Sequence, residues 1–221
     1  MRWTIPNLMT VARLLAAPAV AIVFALLPRP LADWVALALF IGASLTDFLD
    51  GWIARTWAQT SRFGAMLDPI ADKAMVITAL AVVMALSGLD PLVIIPAAII
   101  LFREVFVSGL REFLGADASK LSVTKLAKWK TTAQMVAIAV LMGAIALDYM
   151  HLAAFAALPR DAYQAALDNG PQDWNLVWAT MSVGGPAGVL GMGLLWIAAL
   201  LTLITGADYF RKSLPFLSEK P

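Results

Sequence analysis

Four aspartates, Asp47, Asp50, Asp68 and Asp72, fall within 26 residues of otherwise mainly apolar sequence. At about 100° per residue, Asp47, Asp50, Gly51 and Ala54 share an arc of roughly 100° on one helix. Asp68 and Asp72 stand four apart and share a face of a second. A short turn over residues 56–63 makes the two helices antiparallel neighbours, so both pairs converge at one end of a bundle. Carboxylates gathered beside lipid do not all stay ionised alone; proton uptake or bound cations must offset desolvation and repulsion. With oxygen ligands only, Mg²⁺, Mn²⁺ or Ca²⁺ suits the set better than zinc. Gly51 and Ala54 leave space beside the acids, and Arg55 and Arg62 add positive charge. Such a combination suits a phosphate-bearing substrate. Structural pairing with Arg55, Arg62 and Lys73 would account for one aspartate; four acids in membrane helices point to function.

A second set is cationic. Arg103 and Arg111 are eight residues apart, about 80° net on a helix, so both long side chains can serve one cavity. Lys128 and Lys130 follow at the start of the next helix, and with Arg103 and Arg111 they are the candidates for binding an anionic group. Lys120 and Lys125 read instead as membrane anchors. Arg103 lies deep enough to need a partner, and Glu104, its neighbour, is expected to point elsewhere on the helix. Asn7, Thr10 and Arg13 form an i, i+3, i+6 row. Either that row lines the same headgroup cavity, or Asn7 caps the first helix.

These residues must be positioned by membrane helices. Apolar residues make up 61% of the 221 and charged residues 14%, well away from globular averages, and mean hydropathy is +0.81. Apolar stretches cover 8–27, 32–56, 67–87, 91–113, 131–149 and 186–207. The expectation is a single all-α membrane domain over 1–221, with six transmembrane helices and an outer loop at about 150–185. With both termini cytoplasmic, every Lys and Arg but Arg29 and Arg160 falls on the cytoplasmic side, the positive-inside pattern. The polar cavity then opens at the cytoplasmic end. Within the outer loop, 159–168 reads as a short surface helix ended by Asn169-Gly170. His151 reads as an ordinary interfacial residue, and the row Gly184, Gly188, Gly191, Gly193 as a close-packing seam. The absence of cysteine excludes disulfides, zinc–thiolate sites and thiol nucleophiles. A net charge of +1 offers no field for nucleic acid. A divalent-cation transporter would spread its acids through the bilayer or repeat them in two halves; here they gather at one face in one copy.

The stretch from Asp47 to Asp72 fits D-x2-D-G-x2-A-R-x8-G-x3-D-x3-D at all eight fixed positions. In this it resembles the CDP-alcohol phosphatidyltransferases. Ile5-Pro6-Asn7-Leu8-Met9-Thr10 with Arg13, Arg103-Glu104, Leu110-Arg111-Glu112 and Lys128-Trp129-Lys130-Thr131-Thr132 resemble the bacterial branch whose acceptor is glycerol 3-phosphate. The resemblance implies transfer of a phosphatidyl group from CDP-diacylglycerol to glycerol 3-phosphate, with release of CMP, in the bacterial inner membrane. Branches making cardiolipin, phosphatidylserine or phosphatidylinositol phosphate are the alternatives. It further implies two ions, Mg²⁺ or Mn²⁺, on Asp47, Asp50, Asp68 and Asp72, with Asp72 also the base. Gly51, Ala54, Arg55 and Gly64 would contact the CDP moiety, and the protein would be a homodimer. The loop after Asp161 is longer than that branch leads one to expect.

Overall fold

The computed structural model describes residues 4–56, 61–115, 125–171 and 175–217, with only the helical backbone at 47–56 and 125–128. Seven helices follow in order: α1 (Ile5–Leu26), α2 (Leu31–Thr56), α3 (Arg62–Leu86), α4 (Pro91–Leu114), α5 (Lys125–Ala157), α6 (Arg160–Asp168) and α7 (Leu176–Leu217). Local chemistry sets their starts. Thr4 accepts the Asn7 amide at 3.5 Å, Ser61 accepts the Gly64 amide at 2.9 Å, and Asp90 accepts the Leu92 amide at 2.9 Å ahead of Pro91. Thr4 is thus the cap of α1, which leaves the Asn7 side chain for another task.

Among the described residues five helices are long and apolar enough to cross a membrane, namely α1, α3, α4, α5 from Trp129, and α7 to Phe216; α2 adds a shorter apolar stretch, Leu31–Thr46. Their outward faces are what a bilayer requires: Leu15 is 66% exposed and Phe102 70%. Inward, Phe40, Met75, Leu80, Ile100, Ile138 and Leu195 pack one core that joins α2, α3, α4, α5 and α7. Helix α1 packs on α2 and α3, and α7 lies on α5 and α4.

The stretch expected as an outer loop is mostly helical. Helix α5 runs on to Ala157 and α7 begins at Leu176, because the chain stays mainly apolar past Asp148-Tyr149 and already is so over 176–183, ahead of Pro186. Helix α6 matches the expected surface helix and has no buried residue. Tyr163 holds it to α5, with its hydroxyl 2.9 Å from His151 Nε2 and its ring edge-on to Phe155. His151 is accounted for by this clamp.

Helices α5 and α7 meet along an antiparallel seam in which Gly184 lies against Asp148, Gly188 against Ala144 and Gly191 against Leu141. A Cβ at 191 would sit 2.8 Å from Leu141 Cγ and 3.1 Å from its backbone nitrogen. Gly193, the fourth member of the expected row, faces open space. Gly191→Ala should therefore lower unfolding stability in detergent by about 1–3 kcal/mol, the scale of overpacking. Gly193→Ala should not. Thermal melts followed by circular dichroism check the pair.

Candidate active site

The row on α1 meets the row on α3, residue for residue. Ser61 Oγ donates to Asn7 Oδ1 at 2.6 Å, Thr10 Oγ1 lies 2.6 Å from Asp68 Oδ1, and Arg13 Nη1 lies 2.7 Å from Asp72 Oδ1. Thr10 Oγ1 is also 3.0 Å from the Pro6 carbonyl. A hydroxyl has one proton, and the shorter, charge-assisted contact with Asp68 takes it. Gly64 explains the close approach: a Cβ there would lie 2.9 Å from Asn7 Oδ1. Of the two readings of Asn7, Thr10 and Arg13, the capping one fails, and all three side chains face the aspartate helix.

The Arg13–Asp72 pair is lopsided. The Arg13 side chain is 2% exposed and that of Asp72 49%. A buried cation thus anchors one oxygen of a half-exposed carboxylate. Asp72 lines two cavities. One, of about 340 Å³, is bounded by Arg13, Ala43, Ser44, Met75 and Thr132. Ala43 and Ser44 lie on α2 one turn before Asp47, so this cavity adjoins the first aspartate pair along the chain.

The other cavity, of about 270 Å³, is lined by Asp72, Arg103, Glu104, Arg111, Lys130 and Gln134 among others. Arg103 and Arg111 do serve one space, as their spacing predicts. Glu104 does not point away. Its Oε1 accepts from Arg103 Nη1 at 3.1 Å and from Lys130 Nζ at 2.5 Å. Arginine is long enough to fold back one residue, and α7 comes in close beside it: a Cβ on Gly206 would lie 3.1 Å from Arg103 Cγ. Lys130 is buried in this pairing, whereas Arg111 is exposed and gives its Nε to Tyr209 Oη at 3.3 Å. Three contributors were missed from sequence. Tyr209 and Gly206 sit on a span whose pattern marks only its apolar face. Gln134 carried a usable signal, a lone amide in an apolar span one turn from Lys130.

Asp47, Asp50, Gly51, Ala54 and Arg55 fall on α2, and Lys128 on α5, but their side chains lie outside the described residues. Among the described residues no three of His, Cys, Asp or Glu converge. The described half of the aspartate set nevertheless fits a hard divalent ion. Asp68 and Asp72 are one turn apart on one helix, offer only oxygen, and are each fixed through Oδ1 by α1.

An apolar helical bundle with paired aspartates beside a cationic cavity is an arrangement suited to phosphate-bearing substrates. The chain belongs to the CDP-alcohol phosphatidyltransferase family, whose model matches residues 3–160. It is 56% identical over 220 residues, all of both chains, to the CDP-diacylglycerol–glycerol-3-phosphate 3-phosphatidyltransferase of Cereibacter sphaeroides. Proteins of the same name from Rickettsia bellii and Haemophilus influenzae are 36% and 40% identical. The first match covers 94% of this chain and 93% of the relative, the second 70% and 83%. Gly206 and Tyr209 lie beyond the matched family region, so two arginines of the cationic cavity, Arg103 and Arg111, are contacted by a helix outside it.

Proposed function

We propose that this protein transfers the phosphatidyl group of CDP-diacylglycerol to glycerol 3-phosphate, releasing CMP. The observation that carries the reading is Asp72, a half-exposed side chain held by a buried arginine and lining both a cavity next to the motif helix and a cationic one. The full-length relative of that printed name supports the choice of substrates.

Asp72 takes the proton of the attacking hydroxyl, and that oxygen bonds to the phosphatidyl phosphorus as its bond to CMP breaks. Arg13 keeps the accepting carboxylate oriented toward the substrate. Gly51, Ala54, Arg55 and Gly64 hold the CDP moiety. Arg111, together with Arg103, Lys128 and Lys130, receives the acceptor's phosphate. Asp47, Asp50, Asp68 and Asp72 would hold two Mg²⁺ or Mn²⁺ ions, which when bound neutralise the diphosphate. The chain lies in the bacterial inner membrane as six spans with both termini cytoplasmic, so tails stay in the bilayer and glycerol 3-phosphate arrives from the aqueous side. It works as a homodimer, which the mass of the detergent-solubilised protein checks.

The test is CMP release from CDP-diacylglycerol across a panel of acceptors, with and without divalent ion. Release with glycerol 3-phosphate alone supports the reading; preference for serine, phosphatidylglycerol or inositol phosphate moves the chain to another branch. Divalent-ion flux into liposomes without CMP release would make it a transporter. Asp47→Asn removes a ligand charge and should raise the Mg²⁺ needed for half-maximal rate by roughly 10-fold. An unchanged metal titration would take Asp47 out of the ligand set.

A further inference from the structure

Gln134 is 2% exposed on the wall of the cationic cavity, and its Oε1 has no hydrogen-bond partner among the described residues. Burying an amide oxygen without a partner is costly, so such a group calls for one supplied by something else. Most of the polar side chains on that wall are charged, among them Asp72, Arg103, Glu104, Arg111 and Lys130. Gln134 is the amide on that wall, and it stands one helical turn, about 6 Å, further along α5 than Lys130.

A phosphate does not need it. The cations serve that end of an acceptor, and an accepting amide oxygen would repel phosphate oxygens. A neutral hydroxyl is the complement, because it gives its proton to Oε1 and can accept from the amide N–H. Resting on the substrates proposed above, glycerol 3-phosphate brings two hydroxyls, one that attacks and one that does not. Asp72, on the same wall, is assigned to the attacking hydroxyl.

We propose that Gln134 is a specificity-determining residue that binds the non-attacking hydroxyl of glycerol 3-phosphate in the cavity between α3, α4 and α5. A site built around such a bond discriminates against an acceptor lacking the hydroxyl, because the buried amide is then left unpaired.

The experiment compares glycerol 3-phosphate with 3-hydroxypropyl phosphate, which keeps the phosphate and a terminal hydroxyl but lacks the central one. The kcat/KM preference for glycerol 3-phosphate is measured in the full-length protein and in Gln134→Met, which keeps volume and removes the amide. The expected preference is about 10-fold or more in the parent and close to one in the variant. Should Gln134→Met not fold, Gln134→Asn, which withdraws the amide by one methylene, should shrink the ratio at least severalfold. A merely structural amide would change stability or both rates together and leave the ratio alone. No preference in the parent, or an unchanged ratio in a folded variant, overturns the assignment. Absence of CMP release with either acceptor would instead sink the proposed reaction.

Discussion

Asp72→Asn is expected to lower turnover by a factor of about 10² or more while CDP-diacylglycerol still binds, the scale of losing a positioned general base. The substitution is close to isosteric. The amide oxygen can still accept from Arg13 Nη1, which lies 2.7 Å from Asp72 Oδ1, so the α1–α3 contact survives. What disappears is the proton acceptor and one negative charge. A metal titration on the variant separates the two, since a lost ligand charge is recovered at higher Mg²⁺ and a lost base is not. A rate that stays low at saturating metal supports the base; recovery to near the parent rate would leave Asp72 a ligand only.

Arg111→Ala should raise KM for glycerol 3-phosphate about 10- to 100-fold, the value of a charge-assisted phosphate contact worth roughly 1.5–3 kcal/mol. Arg103 and Lys130 share the Glu104 carboxylate, which offsets part of their charge. Arg111 has only an uncharged partner among its described contacts, the Tyr209 hydroxyl and ring, and so brings its full charge to an incoming dianion. A two-substrate kinetic matrix decides the matter. A change confined to CDP-diacylglycerol affinity would move Arg111 to the donor side and reopen the choice of acceptor.

Spacing in the sequence was enough to put Asp68 with Asp72, Arg103 with Arg111, and Asn7, Thr10 and Arg13 in rows. Periodicity fixes which residues share a face of one helix, and the described residues bear out each row. It does not say which face of one helix meets which face of another. That Thr10 reaches Asp68 and Arg13 reaches Asp72 depends on how closely α1 approaches α3, and the glycine at 64 is the only trace of it in the sequence. The reach of Glu104 back to Arg103 and across to Lys130 was illegible for a related reason, because a flexible side chain can cross the angle its Cα dictates. Helix ends were missed where a single polar or proline residue was read as a boundary, Asp148-Tyr149 for α5 and Pro186 for α7, although the chain beyond each is still mainly apolar and helical.

Helix α7 carries its contacts at a fixed phase. Gly191 faces α5, and Gly206, 15 residues on, faces Arg103 of α4. Fifteen residues of helix span about 22 Å and return to within about 60° of the starting direction. One helix therefore docks on two neighbours with adjacent edges, like a key cut on two sides. Adding or deleting a single residue between the two glycines would turn everything beyond it by about 100°. A bulkier side chain would then swing toward Arg103, and Tyr209 would leave Arg111. Lineages descended from this chain can vary the length of the surface connections around α6 freely, but the interval between Gly191 and Gly206 admits substitution and not insertion.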